Sequence, residues 1–183
     1  MKDLSVRSRR EAERHIEALR ERWGEFEIET KTVEYEPERF ESAAEYFESG
    51  GRGGAAALVR NADERVLLAY HTGEDVWGHP GGGHEPGESF ADTARRELRE
   101  ETSVEIELAG VWFVRLHRFV RRGDPERRGS FLRVHFLARP ADGLQRADAS
   151  EDDEIARAGW FAPPAWPRPV VSDIESRDLP LPN

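Results

Sequence analysis

Three glutamates, Glu97, Glu100 and Glu101, stand at i, i+3 and i+4 in a stretch that reads as helix, so they are neighbours on one helix surface. Carboxylates that close repel one another. A hard divalent cation resolves the repulsion, because Mg²⁺ takes carboxylate and water oxygens and keeps positions open for phosphate. Ahead of them runs Gly81-Gly82-Gly83-His84-Glu85-Pro86-Gly87-Glu88. Glycine admits positive φ and a close approach of backbone to ligand, and Pro80 and Pro86 stiffen the turn. Ser89 is a good N-cap, with Asp92 three residues later near the positive helix end. From Phe90 the pattern predicts a helix with Ala91, Ala94, Leu98 and Thr102 on its packing side. Arg96, four residues before Glu100, is placed to pair with it. A bare E-x-x-E-E is ordinarily a solvated charged face. The spaced glycine turn ahead of it, with Trp77 and Pro80, makes the pattern specific.

The spacing G-x5-E-x7-R-E-U-x-E-E-x-G-U, with U bulky and aliphatic, resembles the signature of the Nudix (MutT-like) hydrolases. Gly82 is its first glycine, Glu88 its first glutamate, then come Arg96-Glu97-Leu98 and Glu100-Glu101, and Val104 closes it. Ser103 departs, standing where the family has glycine. That glycine ends the helix in a left-handed conformation; a serine there costs about 1 kcal/mol, so the turn is expected to adjust locally.

The resemblance implies an α/β fold, a mixed β-sheet in an α/β/α sandwich, reaching from about Gly54 to Pro163 in element order. It implies cleavage of the pyrophosphate bond in a nucleoside diphosphate linked to another moiety, with ADP-ribose or a nucleotide sugar foremost. A house-cleaning nucleoside triphosphate pyrophosphatase and a non-catalytic nucleotide sensor remain open. It also implies Mg²⁺ or Mn²⁺ held by Glu97, Glu100, Glu101 and the carbonyl of Gly82. Phosphoanhydride hydrolysis needs the phosphate charge neutralised and a water aimed in line, and metals serve both needs. Glu100 or Glu101 is then the water-activating base. Arg96 holds a carboxylate ionised, and Glu88 supports the loop or joins the metal ligands. In some members the base sits on a later loop; among Glu151, Asp152, Asp153 and Glu154, Glu154 is chosen because it just precedes a strand. An acidic surface loop is an equal reading there.

The remaining elements must position this box. Ser8-Arg9-Arg10-Glu11 reads as a capping box, followed by Ala12, Ile16, Leu19 and Trp23 at helical spacing. An extended piece at 26–35 and a helix starting at Pro37, with Phe40, Ala43, Ala44 and Phe47 as its stripe, complete an N-terminal helical extension, residues 1–50. Docking on the core and building a homodimer are both open roles for it. Gly50-Gly51-Arg52-Gly53-Gly54 reads as a flexible boundary. The hydrolase domain then takes residues 51–165. Within it, strands at 55–60 and 66–70 form an expected hairpin through Asn61–Arg65. A short strand at 77–79 and a long β run at 105–120 follow. Phe131–Arg139 alternates, with Leu132, Val134, Phe136 and Ala138 on one face. Arg121–Gly129 reads as a polar loop, and Ile155–Phe161 as the last strand. Residues 166–183 form a proline-rich tail with one short helix near 170–175.

Base or sugar binding needs aromatic faces and a few polar groups. Trp77, Trp112, Phe113, His117 and His135 are the aromatic candidates, and Arg115, Arg118 and Arg133 could meet phosphate. Trp77, Arg115 and Arg133 are the substrate-binding choices. His71, His79 and His84 are too irregularly spaced for a zinc site.

The 183 residues carry 37 acidic and 27 basic side chains, a net charge of −10. That balance makes nucleic acid an unexpected partner and a small-molecule nucleotide the expected one. There is no cysteine, hence no disulfide or thiol nucleophile. No apolar run suits a signal region or a membrane span, so the expected location is the cytoplasm. Lysine occurs only at Lys2 and Lys31; an acidic, lysine-poor chain resembles proteins of halophilic archaea.

Overall fold

The computed structural model describes residues 2–142, 147, 155–176 and 179. Its elements are α1 (Lys2–Trp23), β1 (Glu27–Tyr35), α2 (Pro37–Glu48), β2 (Gly53–Val59), β3 (Val66–His71), β4 (Val76–Gly78), β5 (Gly81–Gly83), α3 (Phe90–Thr102), β6 (Ile106–Arg121), β7 (Asp124–Pro140), β8 (Ile155–Phe161) and α4 (Ser172–Ser176). Five strands form a mixed sheet in the order β1-β6-β7-β2-β5, and three form a second sheet, β4-β3-β8. In the first, β1 runs parallel to β6 and β2 parallel to β7, while β6–β7 and β2–β5 are antiparallel.

Side-chain alternation along the strands sorts the layers. Leu132, Val134, Phe136 and Ala138 of β7 are all buried on the back of the large sheet, in one core with Ala12 and Leu19 of α1 and Ala91, Ala94 and Leu98 of α3. The front face is covered at two places. Phe40 of α2 packs on Tyr35 and Phe119, while Val170 and Ile174 pack with Leu58, Leu68 and Trp77. The architecture is therefore the α/β/α sandwich. Between the two front caps the sheet presents Arg115, Arg133 and His135, and the site lies there. Among the described residues no helix is long and apolar enough to cross a membrane.

Several elements differ from expectation for physical reasons. The first helix begins at Lys2 rather than after Ser8. Ser8 is buried inside it, and its Oγ accepts the Ser130 amide at 3.0 Å instead of capping. The extended piece of the N-terminal region is a full strand, paired with β6 from Glu27 to Tyr35. The stretch 121–129 is not a loop: β6 and β7 pair as far as Arg121 and Asp124. Its charges are met from β1, α2 and the turn between them, and Glu41 of α2 takes both Arg127 guanidinium nitrogens at 2.7 and 2.8 Å. The 61–65 turn begins as a hairpin, with an Arg60–Val66 bridge, but its strands part into different sheets. The glycine run at 50–54 is packed rather than a loose joint. A Cβ at Gly51 would lie 2.2 Å from the Tyr46 ring, and one at Gly54 would lie 2.4 Å from the Gly82 carbonyl oxygen.

Candidate active site

The loop–helix stretch folds as its sequence dictates. Ser89 caps α3: its Oγ accepts the Asp92 amide at 3.2 Å, and the Asp92 carboxylate accepts the Ser89 amide at 3.3 Å. At the other end Ser103 keeps the left-handed conformation, φ 58° and ψ 17°, and its amide reaches Arg99 O at 3.0 Å. The expected local adjustment does not occur. Thr102 and Val104 on either side are fully buried, and their packing holds the turn against the serine's strain.

Arg96 organises the carboxylates. Its Nε and Nη2 donate to the two oxygens of Glu88 at 2.7 and 3.1 Å. Nη2 also donates to Gly83 O at 2.8 Å. Nη1 donates to Glu97 at 2.8 Å and to Glu100 at 3.1 Å. The planar five-donor fork of arginine suits this task, which lysine's point charge could not perform. Glu88 further accepts from the Thr93 hydroxyl at 2.8 Å and the Glu85 amide at 3.2 Å. The Arg96 guanidinium above all holds the Glu88 carboxyl down to about 2. Glu97 behaves oppositely: burial raises its pKa against the pull of Arg96. Glu101 turns to the loop and accepts the Gly81 amide at 2.8 Å.

Arg96, Glu97 and Glu100 thus come together as the pattern implied, with Glu101 on the adjacent edge. Among the described residues no three His, Cys, Asp or Glu side chains converge as a ligand cluster; the positive charge at the centre of these carboxylates is Arg96. The donor set still fits a hard cation. All the side-chain donors are carboxylates, and Glu97 is short of solvation. Gly82 also leaves a cradle, since a Cβ there would sit 2.5 Å from the Glu97 carboxylate. Glu154 lies outside the described residues.

Next to this edge a cavity of about 600 Å³ opens on the front face, lined by Ala56, His79, Gly81, Arg115, Arg133, His135 and Asp173 among others. Strand register builds its floor in rows. One row runs Glu29, Arg115, Arg133, Gly54, Gly83; the next runs Phe113, His135, Ala56, Gly81. Gly81 belongs to both halves of the site: its amide serves Glu101 and its backbone lines the cavity. Like charges directly opposite on a sheet are destabilising, and the structure relieves Arg115 with Glu29 at 2.9 Å and Asp173 at 3.0 Å. Arg133 has no carboxylate partner among the described residues. His135 stacks on Phe113 with centroids 4.1 Å apart, and His79 stands edge-on to it at 5.7 Å. Neither ring nitrogen of His135, nor Nε2 of His79, has a hydrogen-bond partner among the described residues. Burial lowers His79 to about 4 and His135 well below its usual range, so both are neutral at pH 7.

Trp77 is a correction. It is 7 % exposed, packed edge-on to Tyr70 and Phe161, and belongs to the second core. Its strand turns the ring away from the cavity that its neighbour Gly78 helps to line. Of the other candidates, Phe113 lies beneath His135, Trp112 meets His79, and His117 is bonded to the Tyr35 hydroxyl at 3.0 Å. Arg118 points to the opposite face, into a smaller cavity with Arg9 and Arg128. His84 sits apart from His71 and His79, against Phe90. Glu29, Asp173 and Tyr46 were not singled out from the sequence, since each belongs to a distant segment with no motif of its own.

The NUDIX domain family model matches residues 50–175, more than half of the chain. The chain belongs to the NUDIX family. It is 29% identical over 117 residues to the 8-oxo-dGDP phosphatase NUDT18 of Mus musculus, covering 62% of this chain and 33% of that protein. It is 44% identical over 55 residues to the RNA pyrophosphohydrolase of Halorhodospira halophila, covering 30% of each. Among solved structures, the MutT NUDIX hydrolase of Burkholderia pseudomallei matches with a TM-score of 0.53 and 25% identity, over 68% of this chain and 92% of that one. The chain spans about a third of the length of these curated relatives. The NUDIX match includes the glycine loop, α3 and most of α4 but leaves out α1, β1 and α2.

Proposed function

We propose that this NUDIX domain hydrolyses the phosphoanhydride of a nucleoside diphosphate linked to a further group, with Mg²⁺ or Mn²⁺ as cofactor. The observation that carries the reading is the glycine loop closed onto Glu97, Glu100 and Glu101 through Arg96 and the Gly81 amide. Glu97, Glu100, Glu101 and the Gly82 carbonyl would hold the ion. When bound, such an ion neutralises charge on phosphoryl oxygens and lowers the pKa of a water. The chain supplies the rest. Arg96 keeps Glu88 ionised and fixes Glu97 and Glu100. Glu101 is committed to Gly81, whereas the Glu100 side chain is 49% exposed; Glu100 is therefore the proton acceptor for the attacking water. Arg133 takes a phosphate oxygen at the cavity, and the neutral wall of His79 and His135 receives the uncharged part of the substrate.

ADP-ribose or a nucleotide sugar fits this division between charged edge and neutral pocket. Likeness to an 8-oxo-dGDP phosphatase favours a second reading, cleavage of a damaged nucleoside diphosphate or triphosphate. A non-cleaving nucleotide sensor is less favoured, because the acidic set is whole. The acidic, lysine-poor composition favours a protein that works at high salt. The test is a panel of ADP-ribose, a UDP-sugar, 8-oxo-dGDP and dGTP, assayed with Mg²⁺ and with Mn²⁺ at low and molar KCl. Nucleoside monophosphate is the expected product, with Glu100→Gln slowing its release by about 10²–10⁴-fold. Tight binding with no product from any compound would make the protein a sensor.

A further inference from the structure

We infer that the N-terminal region outside the family match is part of the catalytic scaffold, with Tyr46 of α2 as a positioning residue for the glycine loop; this rests on the hydrolase reading of the same site. On its inner side the loop is held entirely by α3. The Gly81 amide goes to Glu101, Gly83 O goes to Arg96, and Gly82 lies against Glu97. Those bonds fix the loop to the helix, and the β2–β5 ladder fixes it to the sheet as far as Gly83.

Where that ladder ends, the next sheet-side hold is at His84. Its amide donates to Gly53 O at 2.9 Å. The Tyr46 hydroxyl stands 2.9 Å from the same Gly53 O and 2.6 Å from His84 O. One phenolic proton shared between two carbonyls sets the distance from the first residue of β2 to the end of the glycine loop. Burial raises the Tyr46 pKa, so the phenol remains a donor through the whole range in which the site would work. The ring reaches this position because Gly51 has no side chain and Phe131 braces its edge at 5.4 Å.

The first helix makes an independent contact. His15 stands edge-on to Phe90 at 5.2 Å, with His84 at 6.4 Å. Glu11 takes Arg52 Nε at 3.3 Å, while Arg52 Nη1 holds the carbonyls of Phe47 and Gly51 at 3.0 and 2.9 Å. Both N-terminal helices therefore bear on the one residue that follows the glycines. Displacement there passes through Gly83 O to Arg96, and from Arg96 to Glu97 and Glu100. Misplacing a reacting group by about 1 Å can cost 10²-fold in rate, so this bracing acts on turnover and not only on folding.

The test is Tyr46→Phe in the full chain, which removes the hydroxyl and keeps the ring. The expected result is a kcat about tenfold lower with KM little changed. Mn²⁺ should bind the substrate-free protein more weakly, and the His84 amide should exchange faster with solvent. Val33→Ala is the companion: it loosens the packing of the same N-terminal region on the sheet and lowers Tm but leaves Tyr46 and its ring contacts in place, so kcat and Mn²⁺ affinity should hold. Wild-type kcat and Mn²⁺ affinity in Tyr46→Phe would overturn the inference. So would an equal loss of kcat in both variants at equal loss of Tm, since the effect would then track packing. If the wild type cleaves nothing on the panel, the Mn²⁺ titration and the exchange rate still decide the role of Tyr46, so the two readings fail separately.

Discussion

Around Arg96 the charged contacts are made within one loop and one helix, whereas the cavity beyond Gly81 takes its walls from β2, β3, β4, β6, β7, α4 and the turn after β3. The first region is dense in charge and nearly self-sufficient: a single guanidinium serves three carboxylates and a carbonyl. The second is sparse. One arginine there is neutralised from two distant segments, another has no partner among the described residues, and two histidines are neutral by burial. The contrast predicts a division of labour, with changes at the helix expected to alter rate and changes in the cavity expected to alter substrate affinity.

The sharpest attempt to break that division is Arg96→Met. It should lower kcat by about 10–100-fold, as loss of a residue that orients ligands does. It should also lower stability by about 2 kcal/mol, because Glu88 and Glu97 lose their shared partner in a half-buried place. Rate and thermal melts check both, and unchanged turnover would mean that the carboxylates need no organiser. In the cavity, Arg133→Gln should raise KM about tenfold, the worth of one charge-assisted hydrogen bond, with kcat little changed. Arg115→Gln should move KM less and Tm more, since Glu29 and Asp173 already engage that charge. Equal effects of the two on KM would erase the distinction drawn between them.

Acid sharpens the comparison by a smaller amount. The Glu88 pKa is depressed from 4.5 to about 2. Its stabilising contribution is therefore complete above pH 4.5 and is lost as pH falls toward 2. Tm should drop across that window, and Glu88→Gln should flatten part of the drop. His79 and His135 work in the same direction, because burial depresses their pKa values too, and His79 costs stability as pH falls from 6.5 toward about 4. Protonating them at low pH destabilises the fold, so His135→Gln should flatten another part of the same acid limb. The smallest effect belongs to Ser103→Gly, which should raise stability by up to about 1 kcal/mol by relieving a left-handed serine. A fall in Tm would show that the burial of Val104 has already compensated the turn fully.

Legibility in the sequence follows the range of the interactions. The Ser89 cap, the span of α3, the buried stripe of β7 and the helix carrying Asp173 were each written in neighbouring residues, whereas the left-handed turn kept at Ser103 was not. The failures were long-range. Ser8 looked like a cap until Ser130 claimed its hydroxyl. The arginines at 121–128 looked like a loop because their partners, Glu34, Glu36 and Glu41, lie on β1 and α2 and at the turn between them. Trp77 looked like a binding residue because an aromatic beside a glycine turn carries no sign of which way its strand faces.

By itself, the sequence determined the carboxylate edge: carboxylate spacing, capping and glycine placement act over a few residues, and a helix turns those intervals directly into neighbours in space. Tertiary structure alone decided what surrounds that edge. Strand register set Arg115 beside Arg133, parallel pairing brought Glu29 to one of them, and the packing of two N-terminal helices put Tyr46 on the loop. Such contacts depend on how far apart segments close upon each other, a property of the whole folded chain that no local pattern encodes.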